Sequence, residues 1–218
     1  AAISDREGGV IVDWGVSLIN DLTLFPYRLH LEQHRLTPII YAKLRECPNA
    51  EVRFSHEVTD FAQTADKVVV TAKTPGGSER LEAEWLVGAD GGRSTVRRVM
   101  GVGFEGYTWP ERFLVASTHY DYEPHGFRLN TYVADPVHWN AMFKMPGDGP
   151  PGLWRVLFPV QPEEDEEEAL SDENVERLMQ GFQSKPGRYD IEYKSIYKVH
   201  QRVASDFRSG RALLAGDA

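Results

Sequence analysis

The chain has 218 residues with a formal net charge of −9, is 41% hydrophobic and 26% charged, and carries one cysteine. That composition fits one large or two smaller globular domains and excludes a disordered chain; no apolar run approaches the roughly 18 to 20 residues of a bilayer helix, so a soluble body with no integral membrane segment is expected. The acidic balance argues against nucleic acid as a partner, because such binding rests on phosphate neutralisation by Lys and Arg.

In chain order, the opening AAISDREGGV has neither Met nor a charged-then-apolar leader, so an N-terminal portion is expected to be missing or removed by processing. GVIVDWGVSLIND and LTLFPYRLHLEQ suggest short strands. From Gln33 to Glu46 the apolar residues Leu36, Ile39, Ile40 and Leu44 recur at helical spacing, which predicts a helix with one face on a core. Pro38 sits inside it, so either Thr37 caps a late start or the first turns are distorted. Cys47 excludes an internal disulfide or a Cys-based zinc site, is expected to be a small buried hydrophobe, and fits a reducing compartment, the cytoplasm.

Strands are expected at Val52–Phe54, Val58–Gln63, Lys67–Lys73 and Glu79–Ala89, the last pair around Thr74-Pro75-Gly76-Gly77. Beyond Gly103, RFLVASTHY, GFRLNTYVAD, VHWNAMFKM and LWRVLFPV alternate like antiparallel strands with one covered face. The acidic run Glu163 to Glu168 reads as a solvated loop. It leads into a helix from Asp172 to Gln183, capped by Ser171 or Asp172, with Val175, Leu178, Met179 and Phe182 at helical spacing. YDIEYKSIYKVHQRVA is a further long strand, and GRALLAGDA a turn, a short buried strand and Gly-Asp. The fold class is therefore α/β (α+β). His119, His125, His138 and His200 form no metal-binding spacing and read as hydrogen-bonded histidines; no metal is expected.

Two apolar strands end in the same chemistry, LVGADGG at Leu86–Gly92 and ALLAGDA at Ala212–Ala218. In open α/β sheets ligands sit outside the carboxyl ends of strands, where a Gly-flanked Asp can accept hydrogen bonds from sugar hydroxyls. After the first corner Ser94 and Thr95 can cap a short helix, and Arg93, Arg97 and Arg98 supply charge for phosphate. A pair of such corners points to a nucleotide or flavin site.

Gly88-Ala89-Asp90-Gly91-Gly92-Arg93-Ser94-Thr95-Val96-Arg97 resembles the internal Asp-Gly motif of the flavin-dependent aromatic hydroxylases, the group that includes p-hydroxybenzoate hydroxylase and phenylpropionate hydroxylases. Gly210-Arg211-Ala212-Leu213-Leu214-Ala215-Gly216-Asp217-Ala218 resembles their Gly-Asp motif, and Gln33-His34-Arg35-Leu36 is similar to a helix start that contacts the flavin. The resemblance implies an incomplete FAD/NAD(P)-binding Rossmann-like domain in residues 1–103, an inserted antiparallel substrate sheet in 104–201 and a return strand in 202–218. It implies that Asp217 binds a ribityl hydroxyl of FAD with Gly216 allowing close approach, and that Gln33 bonds the linking region. Asp90 and Gly91 would support the pyrophosphate and the NAD(P)H channel, Arg97 would help NAD(P)H bind, and the backbone of Val58 would lie near the adenine.

The activity it implies is hydroxylation of a small aromatic substrate with NAD(P)H and O₂ through a flavin hydroperoxide, the difficult chemistry residing in the cofactor. Tyr120, Tyr132, Trp139 and Phe143 are candidates to touch that substrate, although alternating aromatics also suit an ordinary sheet. A homodimer is one assembly this reading allows. The alternatives are a related FAD oxidoreductase, such as an epoxidase or reductase, and a non-catalytic remnant serving as an interaction module. The family's Gly-x-Gly-x-x-Gly turn is absent from this sequence, so the 218-residue chain alone is expected to bind FAD poorly and to be marginally stable or self-associating.

Overall fold

The computed structural model describes residues 1–6, 9–136 and 139–218, so His138 lies outside the described residues. The first half holds β1 (Ala2–Asp5), β2 (Gly9–Asp13), α1 (Gln33–Arg45), β3 (Glu57–Gln63), β4 (Val68–Thr74), β5 (Gly77–Ala83), β6 (Leu86–Gly88) and α2 (Thr95–Val99). There follow β7 (Phe104–Thr118), β8 (Asn130–Ala134), β9 (Asn140–Met145), β10 (Leu153–Val160), α3 (Glu166–Ala169), α4 (Asp172–Phe182), β11 (Ile191–Ala204), β12 (Arg208–Ser209) and β13 (Ala212–Leu214). The chain gathers into two compact units, residues 1–42 with 109–199 and residues 43–108 with 200–218. In this division residues 1–42 group with the seven-stranded sheet.

In the first unit the strand order is β11-β7-β10-β9-β8-β1-β2, with β1 parallel to β8 and antiparallel to β2. Strand alternation divides β10 between two faces. Trp154, Val156, Phe158 and Val160 enter a core with Leu114, Ala116, Met142 and the α4 residues Val175 and Met179. Leu153, Arg155 and Leu157 point to the opposite face. Register across the centre is set by the pairs Arg155↔Ser117 and Arg155↔Phe143.

α4 starts where Ser171 Oγ accepts the Asn174 N–H, and Asp172 and Glu173 lie against the positive helix end. The acidic run contains helical structure instead of forming only a loop: Asp165 accepts the N–H groups of Glu167 and Glu168 and starts α3. α1 begins at Gln33 and runs through Pro38, with Thr37 Oγ1 donating to the Gln33 carbonyl instead of capping. Its expected core face is bare: Leu36, Ile39, Ile40 and Leu44 are all exposed, and no element among the described residues covers them. The stretch LTLFPYRLHLEQ forms no strand, because the chain turns locally, with the Tyr27 N–H bonded to the Phe25 carbonyl around Pro26.

The second unit contains the antiparallel sheet β3-β4-β5 and the sheet β12-β13-β6. A two-residue Pro75-Gly76 turn joins β4 to β5, with Thr74 opposite Gly77. The expected strand Val52–Phe54 is absent: Arg53 is tied to Glu51 and Glu79, and Ser55 takes a left-handed conformation (φ 59°) that ends extended structure. The expected single strand Glu79–Ala89 is broken into β5 and β6. Arg211 Nη1 bonds the Glu84 carbonyl and its guanidinium covers the Trp85 ring at 5.1 Å, so the chain turns there into a different sheet. Cys47 is exposed, contrary to expectation, because it follows the free end of α1.

Candidate functional site

β6 and β13 are parallel neighbours in the register Ala212↔Leu86, Leu213↔Val87, Leu214↔Gly88. Parallel pairing brings the Asp-Gly and Gly-Asp corners to the same carboxyl edge of one sheet, the position where α/β sheets receive ligands. α2 packs so closely under this edge that a Cβ on Gly88 would lie 2.6 Å from Val96 Cβ. Only glycine permits that approach.

The Asp90 carboxylate is consumed by its own loop. It accepts the Ser94 hydroxyl and the N–H groups of Thr95 (2.7 Å) and Val96 (3.2 Å), the first donors of α2. Burial works to raise its pKa, but the bonds from Ser94, Val96 and Thr95 outweigh it and hold the carboxyl below its ordinary value. Ser94 in turn caps α2 through the Arg97 N–H. Arg97, expected to meet NAD(P)H, is 6% exposed: its guanidinium lies 3.7 Å over the Phe104 ring and donates to the Gly92 carbonyl at 2.9 Å. It grips the glycine loop from behind, and only its Nη1 is buried without a partner.

The second corner is open. Gly216 has φ +65° and nothing within 4 Å of where a Cβ would stand, and Asp217 is exposed with no hydrogen bond or ion pair among the described residues. Gly216 and Asp217 share a cavity of about 720 Å³ with Gly92, Arg93, Phe104 and Arg202. Arg93 is likewise uncommitted, whereas Arg202 bonds the Phe104 carbonyl. A free carboxylate opposite a free guanidinium, between glycine loops, suits a ligand carrying both hydroxyls and phosphate. This donor set fits the sugar and pyrophosphate of FAD.

The other predicted residues lie elsewhere. Val58 is on β3, beside a bulge, and packs on the core of the second unit with Phe61 and Leu214. Gln33 starts α1 in the first unit, exposed, with a side-chain amide that makes no hydrogen bond among the described residues. It lines a separate cavity of about 790 Å³ on the face of the seven-stranded sheet opposite the core, together with Ser117, Phe143, Arg155, Leu157 and Tyr197. Of the aromatic candidates, Phe143 lines this cavity and Tyr132 packs edge-on against it. Trp139 packs on Phe113, and Tyr120 belongs to the cluster of Tyr122 and Tyr189. His119 pairs with Glu192, His125 with Tyr120, and His200 with Thr108. Sequence reasoning missed Ser117 and Arg155. The available signal was a lone arginine in the otherwise apolar strand LWRVLFPV.

Among known proteins, the profile of the family described as "FAD binding domain" matches residues 16–218. The chain is 38% identical over 215 residues to para-nitrophenol 4-monooxygenase of Pseudomonas sp. (strain WBC-3), covering 95% of this chain and 50% of that protein. It is 33% identical over 211 residues to 6-hydroxy-3-succinoylpyridine 3-monooxygenase of Pseudomonas putida, covering 95% of this chain and 52% of that protein. The chain spans about half the length of each of these relatives. The crystal structure of p-nitrophenol 4-monooxygenase from Pseudomonas putida superposes with a TM-score of 0.91 at 34% identity, over 99% of this chain and 54% of that one.

Proposed function

Because the chain belongs to the FAD binding domain family, we propose that the protein carrying it is an FAD-dependent monooxygenase that hydroxylates a small aromatic molecule, using NAD(P)H and O₂. The observation that carries this reading is the uncommitted Asp217 carboxylate beside Gly216, facing Gly92 and Arg93 across one cavity. Relatives named for para-nitrophenol and for 6-hydroxy-3-succinoylpyridine support a small hydroxylated ring as the substrate class.

In this reading Asp217 accepts hydroxyl groups of the cofactor's sugar chain, Gly216 leaves its backbone open to them, and Arg93 balances phosphate charge. Asp90 holds the N-terminus of α2, which keeps Gly91 and Gly92 in place at the cavity rim. Arg97 acts as a positioning residue, and its contribution to NAD(P)H use runs through the Gly92 loop. Val58 offers backbone to the adenine and Gln33 a side-chain amide to the linking region. FAD, once reduced by NAD(P)H, supplies the oxygen chemistry. The chain's own work is to orient the ring and exclude water, and the sheet face carrying Phe143 and Leu157 is suited to both. Among the described residues no helix is long and apolar enough to cross a membrane. The exposed single thiol Cys47 is compatible with the cytoplasm, the compartment proposed.

Purification of the full polypeptide tests this directly. A yellow protein with flavin absorbance, whose NAD(P)H oxidation rises when a phenol is added, is expected. A colourless protein that gains no absorbance with added FAD would overturn the reading.

A further inference from the structure

β9 and β10 are joined by a strap, Pro146 to Gly152, with the sequence PGDGPPG. It stands where two cavities of the first unit meet. The residues that flank it, Met145 and Leu153, line the cavity of about 790 Å³ on the sheet face. The strap residues Pro146, Gly149 and Pro150 line a second cavity of about 870 Å³, with Arg28, His30 and again Met145. Its feet are suited to pivoting: Gly147 has φ +58° and Gly152 φ +90°, and a Cβ on Gly152 would lie 2.7 Å from the Met145 carbonyl oxygen. Glycine keeps open there the backbone turns that a side chain would block.

Polar contacts tie the strap to the start of α1 and to the end of β7. Asp148 accepts a hydrogen bond from Arg35 Nη2 at 2.5 Å, and the Gly147 N–H donates to Glu32 Oε1 at 3.3 Å. The Gly152 carbonyl lies 3.4 Å from Nδ1 of His119, whose Nε2 is held by Glu192 at 2.6 Å. The Arg35–Asp148 pair is a solvent-side contact, with the Asp148 side chain 91% exposed, so it is modest in strength and open to screening by salt. Beneath it, Glu32 is 7% exposed, and its Oε2 lies 3.3 Å from Arg35 Nε in a geometry that makes no hydrogen bond. A buried carboxylate so incompletely bonded is costly, and lifting the strap would give it water. The closed strap is therefore held weakly from above and resisted from below.

We propose that residues 146–152 form a gate between the two cavities, and that the Arg35–Asp148 pair is its latch. With the latch released, the strap turns on Gly147 and Gly152, and the ring of a small aromatic substrate passes from the second cavity to the sheet face. That the passing ligand is such a ring rests on the reading of the protein as an aromatic hydroxylase. The latch touches the strap and not the ligand, so its loss speeds entry and exit alike and leaves affinity almost unchanged.

Two measurements on the full FAD-supplemented protein test this. Hydrogen exchange followed by mass spectrometry needs no ligand: in Asp148→Ala the peptide spanning 145–153 is expected to exchange faster, with Asp148→Glu close to wild type. Stopped-flow mixing with 4-nitrophenol then reads the gate. Asp148→Ala and Asp148→Asn should raise the association and dissociation rates together, by roughly two- to fivefold, the range an exposed ion pair commands. The dissociation constant should stay within about twofold, and high salt should bring the wild-type rates up to those of Asp148→Ala. Exchange in 145–153 that ignores Asp148, or rates unchanged in all variants, would overturn the proposal, as would a change in affinity carried by one rate alone. Flavin absorbance and phenol-stimulated NAD(P)H oxidation report on the hydroxylase reading separately. A loaded, active enzyme whose entry and exit rates are indifferent to Asp148 sinks the gate alone, and a protein that binds no phenol sinks both.

Discussion

The corners after β6 and after β13 contain nearly the same residues at the same sheet edge, yet they do different work. At the first, Asp90 turns inward and is saturated by Ser94, Thr95 and Val96. At the second, Asp217 faces a cavity with its carboxylate unspent. What separates them is the chain that follows: α2 begins five residues after Asp90 and presents unbonded N–H groups to it. Similar Asp-Gly chemistry can thus either build a loop or receive a ligand, depending on which donors lie within reach.

The contrast is open to attack in order of expected effect. Arg97→Ala should cost the most, about 2–3 kcal/mol of stability, since it strips a desolvated cation from Phe104 and a charged bond from the Gly92 carbonyl. Denaturant titration of the full protein reads this, and a wild-type midpoint would show that the burial of Arg97 contributes little. If Arg97 positions the loop, the same variant raises the apparent KM for NAD(P)H through loop disorder. Next comes Asp217→Ala, which should weaken FAD binding roughly tenfold or more while leaving the denaturation midpoint of the FAD-free protein unchanged. Fluorescence quenching of FAD measures it, and unaltered affinity would remove the distinction between the corners.

Asp90→Ala is expected to show the reverse pattern, losing about 1 kcal/mol of stability at neutral pH because the Thr95 and Val96 N–H groups lose their acceptor while the Ser94 cap remains. The folded-state pKa of Asp90 is depressed, so its stabilisation is full above its ordinary value near 3.8 and fades as pH falls through the folded value. The gap in midpoint between wild type and Asp90→Ala should therefore close in acid below pH 3.8, and a gap independent of pH would mean that the carboxylate charge is irrelevant. The smallest effect is reserved for Arg93→Gln. Exposed and without a partner among the described residues, this arginine should change FAD affinity only a few-fold, and the change should vanish at high salt. A large, salt-insensitive loss would mark Arg93 as buried against the phosphate in the complex.

Much of this was legible in the residues. Alternation in LWRVLFPV marked β10, helical spacing in DENVERLMQGF marked α4, and the two glycine-aspartate corners marked the strand ends, because these patterns are local and short-range chemistry suffices to set them. The same local logic named Ser94 as a cap. It failed where a distant partner decides. Leu36, Ile39, Ile40 and Leu44 have the spacing of a buried face and are bare, since periodicity states what a helix could bury and not what comes to cover it. Val52–Phe54 has strand composition but no ladder partner, and Arg211, remote in sequence, cuts Glu79–Ala89 in two at Glu84.

The sequence by itself determined the α/β class, the order of most strands and helices, and the family, because these rest on periodicity and on contiguous motifs. Only the tertiary structure decided which aspartate is free. Asp90 and Asp217 differ through hydrogen bonds that depend on where α2 lies, and the parallel pairing that unites their corners joins residues far apart in the chain. It alone also set Arg155 opposite Ser117: strand register is a long-range property, and a shift of one residue would have sent both side chains to the other face.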